Sequence, residues 1–232
     1  MQNIACVDLG RRSYAWTLDL QRRLVRRVQA DGDAGFLLVL EHDPPAITLG
    51  RRGRPEHVLA SQRALAAEGV ELHRSARGGQ ATYHGPGQLV GYPILSLRSL
   101  RLGVRQYIRR IEGALIRTLT RFGIEAGRAD GRPGVWVGRH KVASIGVAVE
   151  RGVCCHGFAL NVSTNLRHFD LIVPCGLAPG TITSVSALTG SNVSVNDVKP
   201  VLIESFAEVL SLPVWRASLG EIESPAEAAA HV

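Results

Sequence analysis

Apolar positions in this chain switch between two periods, and the switches mark its elements. From Ser13 to Ala30 they recur at helical spacing (Trp16, Leu18, Leu20, Leu24, Val25, Val28) with arginines on the other face, which predicts an amphipathic helix. Phe36 to Glu41 and Ala46 to Leu49 read as strands, broken by Asp43-Pro44-Pro45. A short helix is expected from Ser61 to Glu68, with Ser61 as its cap and Gly69 beyond its end. Val70 to His73 reads as a short strand and Gln88 to Leu97 as a long buried one. Helical spacing returns from Val104 to Phe122 (Ile108, Ile111, Leu115, Leu119) and stops at Gly123. Val135 to Val137 and Val142 to Val149 flank Gly138-Arg139-His140-Lys141 as the arms of a hairpin. Cys154 to Val162 adds a strand and Asn196 to Leu210 a final helix. Hairpins mixed with long helices predict an α+β fold, a single domain with a mixed β-sheet flanked by helices.

Bulk properties narrow the class. The 232 residues are 45% hydrophobic, enough for one sizeable core, and no linker or repeat divides them. Residues 1–215 are therefore read as one domain and 216–232 as a flexible tail. No apolar run approaches the ~20 residues of a membrane span and no signal-peptide core is visible, so a cytoplasmic protein without membrane partners is expected. A monomer is the default. Cys6, Cys154, Cys155 and Cys175 do not form a disulfide framework. Cys154-Cys155-His156 would point adjacent ligands to opposite faces of a strand, so no metal site is expected.

A net charge of +7 and the clusters Arg22-Arg23, Arg26-Arg27 and Arg51-Arg52-Gly53-Arg54 raise the question of nucleic acid. Aromatics are only 5% and no nucleic-acid motif is present, so that partner is not expected. An acidic protein would exploit the same field.

Chemistry concentrates in three places. Arg77-Gly78-Gly79-Gln80-Ala81-Thr82-Tyr83-His84-Gly85-Pro86-Gly87-Gln88 sets a short extended piece with polar side chains between two glycine turns. A hairpin that only had to turn would use Asn, Asp or Gly, not Arg, Gln, Tyr and His together. This is a binding loop. Second, of 27 basic residues only Lys141 and Lys199 are lysines. Lys199 reads as surface, whereas Lys141 interrupts an apolar segment where arginine could not be deprotonated and lysine can. Third, Pro174 and Gly176 present Cys175 on an irregular turn, a posture suited to a nucleophile that a nearby cation would activate. Lys141 is the candidate activator; His84 and His156 are the rivals.

Together the glycine loop, Lys141-Val142-Ala143-Ser144-Ile145-Gly146 with His156-Gly157-Phe158-Ala159-Leu160-Asn161, and Pro174-Cys175-Gly176 with Thr183-Ser184-Val185 resemble the lipoyl(octanoyl) transferases, acyltransferases of lipoate biosynthesis related to biotin and lipoate ligases. The resemblance spans roughly Ala46 to Leu188. It implies the biotin/lipoate protein ligase fold, no cofactor, and transfer of octanoyl from octanoyl-acyl carrier protein to a lysine of lipoyl domains. Acceptors would be 2-oxoacid dehydrogenase subunits and the glycine cleavage H protein. It implies an acyl thioester on Cys175, activation by Lys141, and an acyl site lined by Arg77 to His84, Ser144, Ile145, Gly146, Gly157, Phe158 and Ala159. An ATP-dependent lipoate or biotin ligase on the same fold and a non-catalytic acyl-carrier or lipoyl-domain binding protein are the alternatives.

Overall fold

The computed structural model describes residues 3–32, 34–173 and 180–223. β1 (Asn3–Arg12) leads into α1 (Tyr14–Ala30), where Ser13 caps the helix by accepting from Trp16 N–H. β2 (Ala34–His42) and β3 (Ala46–Leu49) follow, then a single 3₁₀ turn at Pro55–His57 and α2 (Gln62–Ala67), capped by Ser61. β4 (Glu71–Arg74), β5 (Ala81–His84) and β6 (Gln88–Ser96) precede α3 (Val104–Thr120). β7 (Gly127–Ala129), β8 (Arg132–Val137), β9 (His140–Glu150) and β10 (Val153–Asn161) form consecutive hairpins. A 3₁₀ stretch at Leu166–Leu171, α4 (Val185–Thr189), α5 (Val195–Leu210), β11 (Val214–Arg216) and α6 (Leu219–Glu223) complete the order.

The main sheet runs β11-β1-β2-β6-β10-β9-β8-β7, and a second sheet runs β4-β3-β5. β1 is parallel to both β11 and β2, while β2–β6, β6–β10 and β9–β10 are antiparallel, so the sheet is mixed as expected. Both faces of its centre are covered. Leu37, Val39, Cys154, Phe158 and Leu160 pack beneath α3 and α5, against Ile111, Leu115, Val198 and Leu202. Leu38, Leu40, Cys155 and Ala159 pack on the other face against Leu20, Leu24 and Val28 of α1. Alternate residues along β2 and β10 thus serve different layers, which is why β2 reads as a continuous apolar run. A third core lies under the small sheet, where Ile47, Leu49, Ala81 and Tyr83 meet Phe169 and Ile172. No helix among the described residues is long and apolar enough to cross a membrane.

Three details depart from expectation. The hairpin between β8 and β9 turns on Gly138 and Arg139 alone, with Gly138 at φ 55°, so Lys141 belongs to the strand rather than the turn. Lys199 is no free surface lysine: its Nζ lies 2.7 Å from Asp8 Oδ2, and its side chain is only 12% exposed. Residues 216–223, expected within a flexible tail, are packed against the domain. β11 pairs with β1, Ala217 N–H donates to Cys6 O, and Ile222 of α6 is buried against the α1 layer. Residues 224–232 lie outside the described chain.

Candidate active site

The glycine segment is welded to its surroundings by backbone. Gly50, Arg51 and Arg52 N–H groups donate to the carbonyls of Gln80, Arg77 and Gly79 at 2.8, 2.9 and 3.0 Å, and Gly78 N–H donates to Val147 O of β9 at 2.9 Å. Gly146 permits this closure, since a Cβ there would stand 3.1 Å from Arg77 Cδ and Gly78 O. Arg77 is buried within the loop. Its Nε and Nη2 donate to Thr48 Oγ1 at 3.1 and 2.7 Å, Nη2 also to the carbonyls of Thr48 (2.6 Å) and Gln80 (3.1 Å), and Nη1 to Gly78 O (3.0 Å). Its planar fork organises the loop.

Between this loop and the main sheet lies a narrow cavity of about 50 Å³. Ser144, Ile145 and Gly146 of β9 and Gly157, Phe158 and Ala159 of β10 line it, with Arg77, Gly78, Gly79, Thr82, His84 and Lys141. Twelve of the residues expected from sequence are therefore brought together around one space. Gln80, Ala81 and Tyr83 do not line it. The reason is strand alternation: in β5, Thr82 and His84 face the cavity, while Ala81 and Tyr83 turn into the small apolar core. Tyr83 Oη instead meets His168 Nδ1 at 2.7 Å. Cys175 lies outside the described residues. Tyr14, Tyr92 and His156 also line the cavity and were not expected there. For Tyr14 and Tyr92 the sequence carries no signal, since α1, β5 and β6 meet only in the folded chain. His156 belongs to the β10 motif, where the sequence offers it as a rival partner for Cys175 and not as a lining residue.

Lys141 is held by its main chain. Its N–H donates to Thr181 O at 2.7 Å and its carbonyl accepts from Thr183 N–H at 3.0 Å, a single parallel bridge just after the cavity-facing strands. The residue is 8% exposed. Its stem runs over Gly134, where a Cβ would lie 2.5 Å from Lys141 Cε, and its Nζ sits 5.5 Å from the centre of the Trp136 ring. Gly134 holds φ 134°, a conformation that suits glycine, and leaves the track open.

Three buried histidines share the cavity wall or stand behind it. His42 Nδ1 contacts Arg12 O at 3.1 Å and so carries the proton; its Nε2 accepts from Tyr92 Oη at 2.7 Å. A carboxamide relay orients His84. Asn161 Nδ2 donates to Thr183 O at 3.0 Å, Gln88 Nε2 donates to Asn161 Oδ1 at 2.9 Å and to Tyr83 O at 3.1 Å, and Gln88 Oε1 faces His84 Nδ1 at 2.8 Å. Gln88 has used its donors, so His84 Nδ1 bears the hydrogen and Nε2 presents a lone pair. Burial pushes His42 and His156 down to about 4 and His84 well below 6.5, with His42 and Arg77 adding to the effect on His84. All three are neutral near pH 7.

The arrangement offers a lysine at a cavity edge, a neutral imidazole with a fixed acceptor atom, and a wall to which Ser144 to Gly146 and Gly157 to Ala159 contribute. Residues 13–207 match the lipoyl protein ligase A/B catalytic domain. The octanoyltransferase of Acidobacterium capsulatum is 52% identical over 192 residues, 77% of this chain and 78% of that protein. The octanoyltransferase of Alkaliphilus metalliredigens is 42% identical over 209 residues, 90% of this chain and 95% of that protein. Among solved structures, a bi-partite lipoate protein ligase from Thermoplasma acidophilum has a TM-score of 0.75 at 20% identity, covering 96% of this chain and 89% of that one. At that identity the likeness is one of fold.

Proposed function

Because this chain belongs to the lipoyl protein ligase A/B catalytic family, among the octanoyltransferases, and is therefore an acyltransferase, we propose that it moves octanoyl from octanoyl-acyl carrier protein to a lysine of lipoyl domains. The acceptors are subunits of the 2-oxoacid dehydrogenases and the glycine cleavage H protein, and a cytoplasmic monomer is the working unit. The group travels as a thioester on Cys175.

One observation supports this reading above others. The chain that returns from Cys175 is bonded to Lys141 itself, through Thr181 O and Thr183 N–H, and Lys141 lines the cavity. Lys141 takes the Cys175 proton, and the thiolate attacks the carrier thioester. The bond between acyl carbon and carrier sulfur breaks, and the carrier thiol leaves with the proton held by Lys141. The acceptor amine then attacks the Cys175 thioester. The new C–N bond forms as the C–S bond breaks, and the amine proton returns through Lys141 to the Cys175 sulfur. Exchange between thioesters is nearly balanced and amide formation runs downhill, so ATP is not needed. His84, with its lone pair on Nε2, suits an N–H of the incoming amine. Arg51, Arg52 and Arg54 stand exposed on the turn bonded to the glycine loop and fit an acidic carrier, a contact that salt should weaken.

The test is intact-mass spectrometry after incubation with octanoyl-acyl carrier protein in the absence of ATP. One octanoyl adduct is expected, labile to hydroxylamine and missing in Cys175→Ser. No adduct on protein that still lipoylates with ATP would replace the reading with that of a ligase, and no transfer under either condition would leave only binding.

A further inference from the structure

Lys141 and His84 are joined by a path of hydrogen bonds that runs behind the cavity wall. Gln88 is the first residue of β6 and Asn161 the last of β10, and the antiparallel register sets them opposite one another. Opposed side chains on neighbouring strands touch, and here both are carboxamides, 1% and 4% exposed. Asn161 gives a hydrogen of Nδ2 to the carbonyl of Thr183 at 3.0 Å, and Thr183 gives its own N–H to the carbonyl of Lys141 at 3.0 Å. On its other side Asn161 Oδ1 accepts from Gln88 Nε2 at 2.9 Å, and Gln88 Oε1 faces His84 Nδ1 at 2.8 Å. The path from the Lys141 main chain to the His84 ring is therefore unbroken. Thr183, Asn161 and Gln88 carry it, and none of them lines the cavity.

The path also has a direction. A carbonyl only accepts, so Thr183 O obliges Asn161 to spend Nδ2 on it and to turn Oδ1 toward β6. That oxygen, with Tyr83 O at 3.1 Å, takes the hydrogens of Gln88 Nε2 and leaves Gln88 Oε1 for the imidazole. The hydrogen on His84 is thus placed by the same segment that braces Lys141. Two apolar side chains at 88 and 161 would fill this space, and replacing both partners of a buried hydrogen bond can be nearly neutral for stability. Such a pair could not choose which ring nitrogen carries the hydrogen, nor hold the Thr183 segment in register with the ring. A fully satisfied buried network specifies one arrangement. Lys141 and His84 have to serve a single acyl carbon, where a misplacement of about 1 Å can cost about 100-fold in rate.

We propose that Asn161 is a positioning residue for acyl transfer: acting through Gln88 on one side and Thr183 on the other, it registers the free Nε2 of His84 against Lys141. The inference rests on the acyl-transfer reading for the work of those two groups. Steady-state octanoyl transfer by the full chain tests it first, with folding checked by the thermal transition. Asn161→Asp keeps the size and still accepts from Gln88, but its carboxylate cannot donate to Thr183 O. It should lower kcat about 100-fold and change KM for the octanoyl carrier less than about threefold. Asn161→Leu, uncharged and of similar volume, should show the same split, which separates the lost register from the burial of a charge. Gln88→Met removes the acceptor for His84 Nδ1–H. In nitrogen-15 NMR of the labelled chain without substrate, the hydrogen should then move from Nδ1 toward Nε2. Because the residues form one path, the double variant Asn161→Asp, Gln88→Met should lose clearly less than the product of the single losses. A wild-type kcat in either folded Asn161 variant, losses that multiply fully in the double variant, or a His84 hydrogen still on Nδ1 in Gln88→Met overturns the inference. The NMR measurement needs no acyl group, so a tautomer that follows Gln88 in a chain forming no Cys175 adduct would count against the thioester reading alone.

Discussion

Two cations, Arg77 and Lys141, are buried at the edge of one cavity, and the fold handles them in opposite ways. Arg77, 7% exposed, gives its guanidinium to oxygens of Thr48, Gly78 and Gln80, so the charge cross-links the glycine loop to β3. Lys141, 8% exposed, is positioned by its peptide groups through Thr181 and Thr183, with its stem on the bare backbone of Gly134. Equal burial therefore conceals different work. A guanidinium stays charged and forks in a plane, as a structural brace requires, whereas an ammonium can surrender a proton, as transfer chemistry requires. The chain uses arginine nearly everywhere, and its two lysines are Lys141 and Lys199.

Replacing Lys141 tests the contrast most severely. Lys141→Ala should lower octanoyl transfer by about 100-fold or more, the range for loss of a general acid–base group, with thermal unfolding little changed. Lys141→Arg should fail nearly as badly, and a rate near wild type in either variant would refute the activating role. Arg77→Lys is the converse. An ammonium cannot reproduce the fork, so urea unfolding should show a loss of about 2–4 kcal/mol, with transfer per folded molecule far less affected than in Lys141→Ala. Gly134→Ala sharpens the distinction, since its Cβ would meet Lys141 Cε at 2.5 Å and Ala143 O at 2.6 Å. It should destabilise by about 1–3 kcal/mol and also reduce transfer, coupling the two readouts that Arg77 and Lys141 keep apart.

The smallest effect concerns pH. His42 and His156 hold folded pKa values of about 4, below the 6.5 of an unfolded histidine. The unfolded chain therefore takes up protons first as pH falls, and stability present above pH 6.5 is lost progressively toward pH 4. Between pH 7 and 5.5 His156→Asn should lose about 1 kcal/mol less than the wild type in urea titrations, and parallel curves would show that His156 is not buried neutral.

Much of this was legible in the chain because it is written in local chemistry. Ser13 and Ser61 announce their helices by capping them, and the glycines of residues 78–87 announce a loop pressed against something else. Lys141 stood out by composition alone. What escaped depends on partners distant in sequence. Lys199 reads as surface until Asp8, 191 positions away, is seen beside it. Tyr83 and Thr82 are neighbours, and only the packing of β5 decides which one faces the cavity. β1 hides its nature because Ile4, Ala5, Cys6 and Val7 are all buried, leaving no alternation to read. His156 stands in the left-handed region at φ 56°, with Pro93 opposite and its N–H on Gln21 Oε1, and no window along the sequence contains all three.

Cys154 and Cys155 carry a further consequence. They are adjacent in sequence, yet Cys154 lies in the layer beneath α3 and α5 and Cys155 in the layer beneath α1. Burial raises both thiols to about 12, so neither reacts until its own side of the sheet opens. The peptide bond between them thus joins two clocks: pulsed alkylation followed by fragmentation would record, from one dipeptide, which layer of the protein breathes first.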